Sequence, residues 1–88
     1  MKQTTVQVFS DPGHAWARVS RKRLVDLGIA DKISVYSYEK NDRVFLEEDR
    51  DLSLLIAALK ERGYEVKFKV NNSNRTSKIR NYCSYRPV

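Results

Sequence analysis

The chain has 88 residues, 41% hydrophobic and 32% charged, a composition that makes one small folded domain and excludes low-complexity and collagen-like chains. Its longest apolar run, Leu54 to Leu59, falls well short of the roughly 20 residues that span a bilayer. Lysine and arginine number 17 against 11 aspartate and glutamate, a net charge of +6 that suits nucleic acid, a phosphate-rich ligand or an acidic protein face. Taken in chain order, Thr4 to Phe9 is the first predicted strand, with β-branched Val6 and Val8 alternating with Gln7. Ser10-Asp11-Pro12-Gly13 stops it: Pro12 presets φ, and Gly13 is expected to supply a positive φ. His14 to Val19 is a second strand, with Ala15, Ala17 and Val19 on one face and Trp16 and Arg18 on the other.

Ser20 is an N-cap for a short helix over Arg21 to Leu27, which Gly28 ends. Three cations in its first turn, Arg21, Lys22 and Arg23, oppose the helix dipole, and an anionic partner there would offset the cost. Asp31 to Glu48 is predicted as a hairpin. Its first strand is Ile33 to Tyr38, its turn Lys40-Asn41-Asp42, and its second strand faces Val44 and Leu46 inward. Tyr36, Tyr38 and Phe45 would line its outer face. Leu52, Leu55, Ile56 and Leu59 form the apolar stripe of a second helix, Leu52 to Arg62, capped by Asp49 or Asp51 and ended by Gly63. Tyr64 to Val70 is the last strand, carrying Lys67 and Lys69 on its polar side. The remainder is either extended or folded back with Ile79 and Tyr82 on the sheet.

The order ββαββαβ predicts a two-layer α+β domain, a mainly antiparallel sheet with two helices on one face. Residues 1–70 would form this domain and 71–88 a basic, polar C-terminal tail. A core this small makes a homodimer a reasonable expectation. The N-terminus has no apolar segment behind Lys2, so no secretory signal is expected and the cytoplasm is the expected compartment.

Charge is segregated along the chain. The stretch Arg18 to Arg23 holds four cations, and 66–88 holds Lys67, Lys69, Arg75, Lys78, Arg80 and Arg86 without an acid. Asp42 to Asp51 is net −3, and helix capping accounts for it. Catalytic material is sparse. His14 is the single histidine, and Asp11, three residues away, is the one carboxylate placed locally to orient it. Cys83 has no nearby histidine and cannot form an intramolecular disulfide. The three glycines belong to turns and helix ends, so no phosphate-cradling loop is present. No enzyme activity, cofactor or metal site is expected.

Two resemblances bear on function. Ala17-Arg18-Val19-Ser20-Arg21-Lys22-Arg23-Leu24-Val25-Asp26-Leu27-Gly28-Ile29, followed by a hairpin, resembles the swapped-hairpin AbrB-type DNA-binding unit over about a third of the chain. Ala30-Asp31 stands where that family usually has Gly-Asp, and the later helix and strand are extra to it. The second resemblance covers most of the chain. Asp11-Pro12-Gly13-His14-x-Trp16, Leu27 to Ser34 with Tyr36-Ser37-Tyr38, Leu46 to Asp49, and Asn74-x-x-Ser77-x-Ile79-Arg80-x-Tyr82 are similar to small accessory proteins of tailed phages and prophages. That resemblance implies a bacterial host cell and a binding role, and carries no assigned activity.

The expected function is non-enzymatic nucleic-acid binding through Arg18, Arg21, Lys22, Arg23, Lys67, Lys69, Lys78 and Arg80. Reversing Arg21, Lys22 and Arg23 to Glu would then abolish duplex binding. The alternative is an inhibitor of a host defence or nucleic-acid-processing protein, of the anti-restriction or anti-CRISPR type. It would bind through His14, Trp16, Tyr36, Tyr38, Phe45, Tyr82 and Tyr85 as anchors.

Overall fold

The structure is a computed structural model that describes residues 2–75 and 77–86; Met1, Thr76, Pro87 and Val88, which belong to the expected domain and tail, lie outside them. One mixed sheet holds β1 (Lys2–Ser10), β2 (Ala15–Ser20), β3 (Tyr38–Lys40), β4 (Arg43–Glu47), β5 (Tyr64–Asn72) and β6 (Cys83–Ser84). Their spatial order is β5-β1-β2-β4-β3-β6. The helices are α1 (Arg21–Asp26) and α2 (Asp51–Glu61), with 3-10 turns at Ala30–Lys32 and Lys78–Asn81. No helix among the described residues is long and apolar enough to cross a membrane.

Alternation along the strands sorts side chains to two faces. Val6, Ala17, Val19, Val44 and Leu46 form one face, and Leu24 of α1 and Leu55 and Leu59 of α2 pack into the same core cluster. Full burial of each leucine contributes about 1.5–3 kcal/mol. The local signals of α1 hold: the Ser20 hydroxyl accepts from the Arg23 N–H at 3.2 Å, and Gly28 follows with φ 74°.

Four expectations need correction. First, the sheet is mixed, because β5 runs parallel to β1 from Lys2 opposite Tyr64 to Ser10 opposite Asn72. The α2 crossover supplies the long connection that a parallel strand needs.

Second, the strand expected over Ile33 to Tyr38 is mostly loop, and β3 starts only at Tyr38. Asp51 causes this. Its buried carboxylate accepts from the Ser34 N–H, the Ser34 hydroxyl and the Ser37 hydroxyl, which holds the loop against α2.

Third, neither Asp49 nor Asp51 caps α2. The carboxylate of Glu47, at the end of β4, accepts from the N–H groups of Asp49, Arg50 and Asp51 at 2.7–2.8 Å. Fourth, the described part of the expected tail folds back. Ile79 packs on Trp16 and Phe45, β6 pairs with β3, and Tyr85 is fully buried in the helix-side core. Burial raises the Tyr85 pKa, and its hydroxyl donates to the Ala30 carbonyl.

Candidate nucleic-acid interface

The face of the sheet opposite the Val6, Ala17, Val19, Val44 and Leu46 side chains is assembled by register. Lys69 of β5 lies opposite Gln7, Gln7 opposite Arg18, Arg18 opposite Phe45, and Phe45 opposite Tyr38. Lys67, two residues along β5, stands opposite Thr5 on the same face. Arg43 and Lys40, paired in the β3–β4 hairpin, share that face because each is two residues from the Phe45–Tyr38 pair. Lys67, Lys69, Arg18, Arg43 and Lys40 are all exposed. Their acidic neighbours are Glu65 and Asp42, and Asp42 approaches Arg43 at 3.8 Å.

An aromatic island sits at one end of this face. Trp16, Phe45 and Ile79 are buried together, with Phe9, Tyr38 and Tyr82 against them. The Phe45 and Tyr82 rings are 5.2 Å apart, and those of Trp16 and Tyr38 are 6.3 Å apart. Beside the island runs a groove of about 470 Å³, with Phe9, Phe45 and Tyr82 in its wall and Arg18, Arg75 and Lys78 as its charges. Among the described residues, no carboxylate lines it. The Arg18 guanidinium lies 5.2 Å from the Phe9 ring, and the Lys40 ammonium 4.9 Å from the Tyr82 ring. Protein-family models, curated proteins and solved structures contain no match to this chain. The site is therefore judged on its own geometry.

The eight expected cations divide. Arg18, Lys67, Lys69 and Lys78 meet at the open face and its groove. Arg21, Lys22 and Arg23 belong to α1 and are engaged within the fold. Arg21 pairs with Glu39 at 2.9 Å and stacks on Tyr85 at 5.0 Å. Lys22 pairs with Asp26 at 2.9 Å, and Arg23 stacks on Tyr64 at 5.2 Å.

Arg80 is engaged most completely. Its guanidinium donates to both oxygens of Asp11, at 2.7 and 2.9 Å, and lies over Trp16. That pair, with the N–H groups of Ser77, Gly13 and His14, holds the Asp11 carboxyl far below the usual carboxylate range. Asp11 thus clamps the C-terminal segment to the β1–β2 turn. Its carboxylate meets His14 only at the backbone N–H, and its own N–H donates to the His14 carbonyl, so it does not orient the imidazole. Gly13 has no positive φ; a Cβ there would stand 2.9 Å from the Arg80 guanidinium, which would have to shift from its pairing with Asp11.

The expected aromatic anchors also divide. Tyr85 is fully buried on the helix side, and Phe45 is covered by Ile79 and Tyr82. Tyr36 is 75% exposed and borders a second cavity of about 520 Å³ with His14, Trp16 and Tyr38. The acids Glu47, Glu48 and Asp49 and the cations Arg50 and Arg80 share that cavity, so its charge is mixed. Arg43 and Lys40 are functional candidates that the cation clusters did not mark, and Arg75 is one that the second cluster held but the expected binding set left out. Arg43 carries a local signal, since it lies opposite the inward-facing Val44, but only register sets it beside Arg18.

Proposed function

We propose that this protein binds single-stranded nucleic acid on the open face of its sheet. In a two-layer arrangement, with both helices on one face, the opposite face is left to bind. The observation that carries this reading is the cross-sheet register that gathers Lys67, Lys69, Arg18 and Arg43 beside an acid-free aromatic groove. Cations that track a backbone, next to rings on which bases stack, are the means by which single strands are held without sequence preference. A gently twisted sheet face suits a flexible strand better than a rigid duplex. The setting we propose is an accessory protein of a bacterial virus, working in the host cytoplasm by binding rather than turnover.

Fluorescence anisotropy with a labelled oligonucleotide over a salt series tests it. Replacing Arg18, Lys67 and Lys69 by Gln together is expected to weaken binding and flatten the log–log salt slope by about 0.7 per lost phosphate contact. Reversing Lys22 to Glu, away from this face, is expected to change little. Equal slopes for the wild type and the triple variant sink the assignment of the face.

A second reading, inhibition of a host nucleic-acid-processing protein by direct contact, is favoured by Val35 and Tyr36. They are 64% and 75% exposed, and Tyr36 borders the mixed-charge cavity. A partner recovered from nuclease-treated lysate and lost with Tyr36→Ala supports it; recovery that disappears with nuclease treatment speaks against it. A homodimer, on our reading, forms along β5, the long outer strand, where Phe68 and Val70 are exposed. Antiparallel self-pairing about Val66 sets Glu65 against Lys67 of the second copy, an opposite-charge cross-strand pair.

A further inference from the structure

We infer that the split between β1 and β2 is a binding pocket for a phosphoryl group. The ladder between these strands runs only from Gln7 opposite Arg18 to Ser10 opposite Ala15. Before Gln7, β1 continues along β5, and after Arg18, β2 continues along β4. The two strands therefore part in the middle of the sheet while each stays paired on its outer side. Backbone groups on the facing edges have no strand opposite them, and such groups need water or a ligand.

The opening is a cavity of about 240 Å³. Leu55 and Leu59 of α2 contribute an apolar lining, with Val6 and Val19 beside them. Its polar lining is Arg18, Arg23 and Arg43 with Thr4, Thr5 and Ser20, and no carboxylate is among them. The three guanidiniums come from β2, α1 and β4. Among the described residues Arg18 and Arg23 form no ion pair, and Arg43 meets only Asp42, at 3.8 Å between two exposed side chains.

Two of the arginines rest on rings outside the cavity lining. Arg18 lies against Phe9 and Arg23 against Tyr64, both at 5.2 Å. Three like charges around one opening with an apolar lining repel one another more strongly than they would in open water. A multiply charged oxyanion reverses that balance. Guanidinium forks match paired phosphate oxygens, and the threonine hydroxyls supply further donors.

Arg18 also belongs to the basic face. A terminal phosphate monoester of a nucleic acid, which carries more charge than a backbone phosphodiester, is therefore one source of the group. That source rests on the reading above; the phosphoryl chemistry of the pocket does not. A small phosphorylated molecule is the other source.

Thermal unfolding at constant ionic strength, with inorganic phosphate replacing chloride, tests the pocket. The wild type is expected to gain Tm saturably. Arg43→Gln and Arg23→Gln are each expected to need roughly tenfold more phosphate for the same gain, the effect of losing one charge-assisted hydrogen bond. Lys22→Gln, outside the cavity and away from the basic face, should match the wild type. Arg43 is exposed, so its variant keeps the fold, which circular dichroism checks.

A shift that does not saturate, or that both arginine variants show unchanged from the wild type, overturns the pocket whether or not an oligonucleotide binds. A phosphate response lost in the variants, with no oligonucleotide binding by the wild type, upholds the pocket and removes the nucleic-acid reading. In the second arm, oligonucleotides with and without a 5′-phosphate are compared. Tighter binding of the phosphorylated form, lost in Arg43→Gln, assigns the pocket to a nucleic-acid end. Equal binding with a positive phosphate response assigns it to a small phosphorylated molecule.

Discussion

The two faces of this sheet come from the same strands and do opposite things. On the helix side, Val6, Ala17, Val19, Val44 and Leu46 meet Leu24, Leu55 and Leu59 in a continuous aliphatic core. On the other side, Trp16, Phe45 and Ile79 form a small aromatic island, and the rest of the face is polar, with Arg18, Lys67, Lys69, Arg43 and Lys40 exposed. Arg18 stands between Ala17 and Val19, both buried. Adjacent residues on one strand therefore divide between the buried core and the exposed face on which we propose binding. In so small a domain, a surface can be specialised without weakening the core when the period-two alternation of a strand keeps the two sets of side chains apart.

Substitutions can break or sharpen that contrast. The largest expected effect is in the core: Leu59→Ala should destabilise the protein by about 2–5 kcal/mol, measured by urea unfolding. A loss below about 1 kcal/mol would mean that α2 is not the main cover of that face. Next is the island. Ile79→Ala is expected to cost about 2 kcal/mol, less than a core leucine because a small edge cluster can partly collapse. It should also red-shift Trp16 emission, as the ring that Ile79 covers meets water.

A pH-dependent effect follows at the clamp between the C-terminal segment and the β1–β2 turn. Folding lowers the Asp11 pKa, so its stabilisation is complete above the unfolded value of about 4 and is lost as pH falls through the depressed folded value. The Tm gap between the wild type and Asp11→Asn should stay constant from about pH 7 to 5 and begin to narrow below about pH 4. A gap that widens on acidification would contradict the clamp. The smallest effect on stability belongs to the open face. Arg18→Gln with Lys69→Gln should shift unfolding by no more than about 0.5 kcal/mol while weakening oligonucleotide binding. A large stability change there would show that the two faces are not independent.

Much of the core side was legible in the sequence. Leu55 and Leu59 are buried at the spacing that their stripe predicts, and Ser20 caps α1 as its position suggests. Trp16 and Arg18 do oppose Ala17 and Val19. The misreadings share one cause. Ile33 to Tyr38 alternates like a strand, but Asp51, far along the chain, holds Ser34 and Ser37 in a loop. Gly13 looks like a positive-φ turn residue, but Arg80 takes the space beside it.

The site divides the same way. Arg18, Lys67 and Lys69 were visible as cations on polar strand faces, whereas their meeting depends on β5 running parallel to β1, across a separation of 62 residues. Arg21 and Arg80 were equally visible as cations, yet Glu39 and Asp11 engage them.

By itself, then, the sequence determined where the main helices and strands form and which side of most strands is apolar. Periodicity, caps and helix stops act over a few residues and need no partner. Tertiary structure alone decided which cations are paired, which aromatics are covered, and where β1 and β2 part to leave three arginines around one cavity. Those outcomes depend on register and crossover between distant segments, and local side-chain patterns carry no information about either.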